Sequence, residues 1–124
     1  MTMLPTYQVI IAGSRFFADY DKLAFLCDNF LRKNVMSRKI TILSGGAQGS
    51  DTLGEQYAQA KGYGLKRFPA DWEQYGKAAG PIRNRQMVAH ADAVIAFWDG
   101  KSLGTKNVIK EATKKKLEVK IIKV

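Results

Sequence analysis

Several places along this chain set glycine beside a charged side chain where an apolar run stops. The run SGGAQGSD, Ser44 to Asp51, follows the apolar stretch KITIL and holds three glycines and one carboxylate. Glycine lets a backbone approach a ligand closely, and amides at a helix N-terminus suit phosphate. The run QVIIAG ends in Gly13-Ser14-Arg15, and DAVIAFWDG runs into KSLGTK, which contains Gly104-Thr105. Arg15 offers a fork of donors that matches a phosphate. Amides around Gly46, Ala47 and Gly49 would form an anion nest. The chemistry these residues suit is recognition of a phosphorylated ligand.

Two carboxylates add a second possibility. Asp51 either caps the helix that follows the glycine run or accepts hydrogen bonds from ribose hydroxyls, as acidic residues do in dinucleotide sites. Glu55 lies four residues on, on the same helical face. Together they would permit acid–base work on a sugar; the alternative is surface groups paired with lysines. Farther along, Gly80-Pro81-Ile82-Arg83-Asn84 opens a helix with a cation in its first turn. The helix dipole favours anions there, so Arg83 is expected to meet a bound anion. Trp72, Tyr75 and Trp98 are candidates to stack on a base, with core packing the other reading for Trp98.

Other chemistries are poorly served. His90 is the only histidine and Cys27 the only cysteine, which gives no metal constellation and no triad. Cys27, within LAFLCDNFL, reads as a buried thiol on a helix face. A lone cysteine allows no internal disulfide and fits a reducing cytoplasm. Neither a Walker motif nor a GxGxxG fingerprint is present. No apolar run approaches the ~18 residues of a membrane span, and no signal peptide is evident.

The elements that must position these residues alternate. Apolar runs at 9–13, 40–45, 65–70, 93–98 and 119–124 read as strands. Helical spacing covers 19–34, 50–62, about 81–91 and about 104–116. Asp19 or Asp21 would cap the first helix, Ser50 or Asp51 the second, and Gly62 would close the second. Segment 71–81 reads as the one long loop, carrying Trp72, Tyr75 and Lys77. This order demands a parallel sheet covered on both faces, with ligands beyond the carboxyl ends of its strands.

The 124 residues suit a single domain, 1–124, with 46% hydrophobic and 25% charged residues. The net charge of +9 is uneven: residues 101–124 hold eight lysines against Glu111 and Glu118. Such an end attracts polyanions or forms a solvated face on the last helix. Lys114, Lys115 and Lys116 lack interleaved aromatics, a weak nucleic-acid signature.

Taken together, GSR, SGGAQGSD, PADW–YGKAAGPIRN and DAVIAFWDGKSLGTK resemble the SLOG superfamily, in its branch of small YspA/YpsA-related proteins. The resemblance covers about Gln8 to Val124. It implies an α/β fold, a Rossmann-like three-layer sandwich with a five-stranded, mostly parallel sheet. It also implies a pocket for a nucleotide or nucleotide-derived ligand, with no other cofactor and no metal. Members are proposed to sense or process such ligands, often in phage-related or bacterial conflict settings. The implied contacts are Gly13, Ser14, Arg15, Ser44, Gly45, Gly46, Gly49, Asp51, Arg83, Asn84, Gly104 and Thr105. A cytoplasmic protein, with homo-oligomers known for this fold, is the corresponding expectation.

Two relatives point in different directions. The cytokinin-activating phosphoribohydrolases share the fold and carry PGGxGTxxE; in DGKSLGTKNVI the GT survives as Gly104-Thr105, but Val108 stands at the glutamate position. Glu111 comes three positions late. An N-glycosidase acting on nucleoside monophosphates would therefore need Asp51, Glu55 or Asp99 instead. The bacterial DNA-processing protein A, which binds single-stranded DNA, shares the SGGAxGxD-type segment, and the basic C-terminal region suits that alternative.

Overall fold

The computed structural model describes residues 4–46 and 50–124. Five strands, β1 (Thr6–Gly13), β2 (Lys39–Ser44), β3 (Gly64–Arg67), β4 (Ala93–Trp98) and β5 (Glu118–Lys123), form one sheet. Their order is β3-β2-β1-β4-β5, and every neighbouring pair is parallel. The connecting helices are α1 (Tyr20–Leu31), α2 (Ser50–Lys61), a single turn α3 (Trp72–Tyr75), α4 (Ala79–His90) and α5 (Leu103–Lys114).

The two-residue period of the strands divides the core into two layers. Val9, Ile11, Ile42, Ile95 and Phe97 pack with Leu23, Cys27 and Leu31 of α1 and Tyr57 and Ala58 of α2. Ile10, Ala12, Leu43, Val94 and Ala96 face the other way, against Met87 and Val88 of α4 and Val108 and Ala112 of α5. Both sheet faces are therefore apolar, which is why the central strands read as unbroken hydrophobic runs. Cys27 is buried, and desolvation together with the neighbouring Asp28 pushes its thiol up to about 12. At neutral pH it is a protonated core group rather than a nucleophile.

One close approach sets the spacing between α2 and the sheet. A Cβ at Gly54 would sit 2.9 Å from Ile11 Cγ2 and 3.0 Å from Ile11 Cβ. Only glycine lets the helix lie that near β1.

Element ends follow recognisable chemistry. Asp19 caps α1 by accepting from the Lys22 amide at 3.1 Å, and the helix stops at Leu31, short of residue 34. Asp51 sits inside the first turn of α2 rather than capping it. α2 and α5 close with the same pair of hydrogen bonds. Tyr63 and Gly62 amides reach Ala58 and Gln59 carbonyls; Leu117 and Lys116 amides reach Ala112 and Thr113. This Schellman pattern needs a left-handed residue. In α2 it is Gly62 at φ 70°, but in α5 it is Lys116 at φ 60°.

The expected loop at 71–81 is not a loop. Asp71 accepts from the Gln74 amide at 3.1 Å, α3 follows, and a 3₁₀ turn (Gly76–Ala78) runs into α4 at Ala79. The sequence D-W-E-Q is a capping signature, with the acid three residues before Gln. Gly76, Gly80 and Pro81 masked it by suggesting irregular backbone. Because α4 starts at Ala79, Arg83 lies in its second turn, beyond the reach of the dipole argument.

Candidate functional site

In a parallel sheet the helices carry the chain back, so all strand ends gather at one edge. Strand order reverses between β1 and β4, where α/β sheets hold ligands. At that carboxyl edge lies a cleft of about 630 Å³, within the usual range for small-molecule sites. Its rim carries Gly13 and Arg15 after β1, Gly45 and Gly46 after β2, and Arg67, Pro69 and Ala70 around the end of β3. Trp72 closes one side. Arg83, Asn84 and Met87 of α4 and Ser102, Gly104, Thr105 and Val108 around the start of α5 complete the wall.

The turn after β2 is shaped by what lies over it. Gly46 has φ 77°, in the left-handed region. At Gly45 a Cβ would meet Arg83 Nη1 at 2.7 Å and Asp51 Oδ2 at 3.1 Å. Glycine at 45 therefore makes room for an arginine and a carboxylate to meet above the backbone. Arg83 Nη1 donates to the Gly45 carbonyl at 2.5 Å and Nε to Asn84 Oδ1 at 2.9 Å. Burial lowers the Arg83 pKa from its ordinary value, and the Asp51 charge opposes that shift. An arginine remains charged under such a shift, so the cleft carries a held cation. Asp51 itself is only 6% exposed.

Asn84 ties α4 to α5. Its amide nitrogen donates to Asn107 Oδ1 at 2.9 Å and to the Gly104 carbonyl at 3.4 Å. Ser102 caps α5, accepting from the Thr105 amide at 3.4 Å, and its hydroxyl lies 3.1 Å from that of Thr105. The preceding turn is held by Asp99, whose Oδ1 accepts from the Lys101 and Ser102 amides at 2.8 Å each. Those backbone donors hold the Asp99 carboxyl below its usual value.

A second network stands behind the glycine turn. The Gly46 amide donates to Ser44 Oγ at 3.0 Å, and Ser44 Oγ donates to Glu55 Oε2 at 2.7 Å. Glu55 Oε1 accepts from Arg67 Nε at 3.0 Å and pairs with Nη2 at 2.9 Å. Burial would raise the Glu55 pKa, but the bonds from Arg67 and Ser44 outweigh it and lower the value.

The residues expected at the site separate into groups. Gly13, Arg15, Gly45, Gly46, Asp51, Trp72, Arg83, Asn84, Gly104 and Thr105 are brought together around the cleft. Ser14 is buried with its hydroxyl accepting from the Asp99 amide at 2.8 Å, so it joins the β1 and β4 turns instead. Ser44 and Glu55 lie behind the wall in the network that holds Arg67. Gly49, with Ala47, lies outside the described residues. Tyr75 and Trp98 do not line the cleft; the Trp98 indole N–H donates to the Ser102 carbonyl at 3.0 Å. His90 Nδ1 lies 2.8 Å from the Gln86 carbonyl at the end of α4.

Sequence reasoning missed Arg67, Ser102 and Asn107. Arg67 had a signal: a cation at the carboxyl end of a strand, in the same place as Arg15. Ser102, three residues before Thr105, sits where an N-cap belongs. Among the described residues no cluster of three or more His, Cys, Asp or Glu could hold a metal, and no helix is long and apolar enough to cross a membrane.

The fold is shared with solved structures at low sequence identity. DNA processing protein A (DprA) from Streptococcus pneumoniae superposes with a TM-score of 0.71 at 17% identity, covering 95% of this chain. The chain spans half the length of that protein. The structural-genomics target TM1055 gives a TM-score of 0.63 at 18% identity, covering 94% of this chain and 72% of the other. In sequence, the Gene 61 protein of Mycobacterium phage D29 is 34% identical over 113 residues, covering 86% of this chain and 89% of that protein. The profile of the YspA, cpYpsA-related SLOG family matches residues 7–75. A cleft built on the glycine turn after β2, in a chain with these likenesses, identifies this protein as a member of the YspA, cpYpsA-related SLOG family.

Proposed function

We propose that this protein binds a nucleotide or nucleotide-derived ligand in the cleft at the carboxyl edge of its sheet, as a sensor or a processing protein. One observation carries the reading: the cleft is lined by three arginines, Arg15, Arg67 and Arg83, against one carboxylate, Asp51. Cations converging on a glycine turn suit phosphate, and Asp51 would accept from ribose hydroxyls. Trp72, 59% exposed at the rim, offers a face for a base. Calorimetry against nucleoside mono- and diphosphates of the common bases tests it. Arg15→Ala should weaken binding about tenfold, as loss of one charge-assisted contact does, without unfolding the chain. Unchanged affinity would remove Arg15 from the site. Mass spectrometry of the protein under native conditions, as purified, would show any ligand it carries.

The burial of Asp51 in the cleft favours one second reading, hydrolysis of the N-glycosidic bond of a nucleoside monophosphate. A carboxylate beside the sugar would stabilise an oxocarbenium-like transition state. Asp51 lines the cleft and would serve that role directly, whereas Glu55 lies behind the wall with Ser44 and Arg67. Free base released from a panel of nucleoside monophosphates, and lost in Asp51→Asn, is the expected outcome of that reading. No free base from any of them removes it.

A further inference from the structure

The two helical layers of the molecule are charged in opposite senses. On one side of the sheet, α1 and α2 carry four carboxylates, Asp21, Asp28, Asp51 and Glu55, against Lys22 and Lys61. On the other side, α4 and α5 carry five cations, Arg83, Arg85, Lys106, Lys110 and Lys114, against Glu111 alone. Arg83 lines the cleft, whereas the other four cations are exposed on the outer surface. Glu111 is mostly covered, at 16% exposed, and reaches Lys114 only at 3.9 Å. Glu118, at the start of β5, hydrogen-bonds Tyr7 instead.

Helical spacing turns the lysines into a row. Lys106, Lys110 and Lys114 follow at i, i+4 and i+8, on one face, about 6 Å apart and about 12 Å end to end. Val108 and Ala112, on the opposite side of α5, are packed in the core, so the row points outward. Lys115 and Lys116, both exposed, extend it past the helix end. Like charges at i, i+4 destabilise a helix, so the row does nothing for the fold itself. The chemistry of this surface narrows the partner. α4 and α5 contain no Phe, Trp or Tyr, so they offer no platform on which the bases of a single strand would stack. Protein interfaces favour aromatics and arginine and are depleted in lysine. A membrane surface would call for an apolar outer side on α5, and its apolar side lies in the core. Duplex nucleic acid fits: it carries one charge per ~1.7 Å of axis, so a row of about 12 Å faces about seven phosphates without any stacking.

We propose that the outward face of α4 and α5 binds the phosphate backbone of duplex nucleic acid, independently of base sequence. Lys106, Lys110 and Lys114 are the central contacts, with Arg85, Lys115 and Lys116 at the margin. This surface is separate from the cleft, and the inference does not rest on the nucleotide reading.

Fluorescence anisotropy tests it, with labelled DNA duplexes of about 20 base pairs in two unrelated sequences, their separate strands, and an RNA duplex, between about 50 and 200 mM salt. The wild-type protein should bind both DNA duplexes at about 1–100 μM near physiological salt and within about twofold of each other. Each separate strand should bind several-fold more weakly. The slope of log K against log salt should lie at about −3 to −5, since each phosphate contact contributes about −0.9. Replacing Lys106, Lys110 and Lys114 together by glutamine should make that slope shallower by about 2–3 and lower affinity at least ~10-fold. Lys110→Gln alone should change it by about one, which keeps the test open if the triple variant does not fold. Lys22→Gln with Lys33→Gln, on the α1 side, should leave the slope nearly as it is. Preference for the DNA or the RNA duplex names the source of the phosphates. Equal losses per charge on the two sides would reduce the binding to net charge and overturn the assignment to this face. Tighter binding of a single strand, an unchanged slope in the lysine variants, or no duplex binding at the lowest salt overturns it as well.

Discussion

The two edges of the sheet are made from the same strands but hold their cations in opposite ways. At the carboxyl edge, arginines are held by acceptors inside the protein. Arg83 rests on Gly45 and Asn84, and Arg67 on Glu55, which Ser44 steadies. At the amino edge, charge is solvated or closes the fold. The Gln8 amide donates to Asp92 at 2.8 Å, Arg38 lies 4.9 Å from the centre of the Tyr7 ring, and Lys114, Lys115 and Lys116 trail exposed from the end of α5. Because α5 returns the chain antiparallel to the strands, those lysines stand at the far edge from the cleft. Net charge alone would have pointed to the lysines. Held charge points to the arginines, because a fixed donor needs less ordering when a ligand arrives.

The largest expected effect breaks the carboxyl edge. Arg83→Ala removes the cation over the glycine turn and leaves the buried Asp51 without it. It should weaken nucleotide binding by about 2 kcal/mol or more, roughly thirtyfold, with a measurable drop in thermal stability. Retained affinity would show that the cleft does not depend on held charge.

At the amino edge the sharpest change is stabilising. Lys116 holds the left-handed position that Gly62 fills in α2, at a cost of roughly 1–2 kcal/mol for a residue with a Cβ. Glycine would return part of that gain through its greater unfolded freedom. Lys116→Gly should therefore raise stability by about 0.5–1 kcal/mol, read as a rise of a few degrees in Tm. Nucleotide affinity should not change with it.

A smaller effect concerns pH. The folded Glu55 carboxyl titrates below its ordinary value. Its stabilisation is complete above the unfolded value of about 4.3 and is lost as pH falls through the folded one. Glu55→Gln should flatten the acid limb of the stability curve by less than about 1 kcal/mol, since the partner Arg67 is exposed. Thermal melts between pH 3 and 7 would show it. The smallest expected effect is that of replacing Lys114 and Lys115 by alanine. Nucleotide affinity should stay within about twofold, consistent with charges beyond a Debye length. Steeply salt-dependent binding of single-stranded DNA, lost in this variant, would instead give the amino edge a nucleic-acid role.

Local signals in the sequence revealed most of this architecture. Apolar runs such as VIIAG and AVIAFW marked buried parallel strands, and the glycines after them marked the edge where a ligand would sit. What stayed hidden depended on three-dimensional pairing. Ser14 and Ser44 are among the ligand contacts that the family resemblance implies, yet each is used by a neighbouring turn or helix. Glu55 is expected beside Asp51 at the pocket rim, but its bonds to Ser44 and to Arg67 at the end of β3 hold it behind the cleft wall. The helical turns of 71–78 were hidden by glycine and proline, although the Asp71–Gln74 spacing was readable.

The near contact of Gly54 with Ile11 has one more consequence. A helix resting that close to a strand, with no Cβ between them, can neither rise nor slide without opening a void beneath it. Asp51 and Glu55, on either side of Gly54, are thus held at a set height above the sheet. Asp51 in the cleft wall and Glu55 behind it are thereby placed before anything binds. Structures of the empty and the occupied protein should superpose along α2, and recognition would proceed closer to lock-and-key than to closure of a lid.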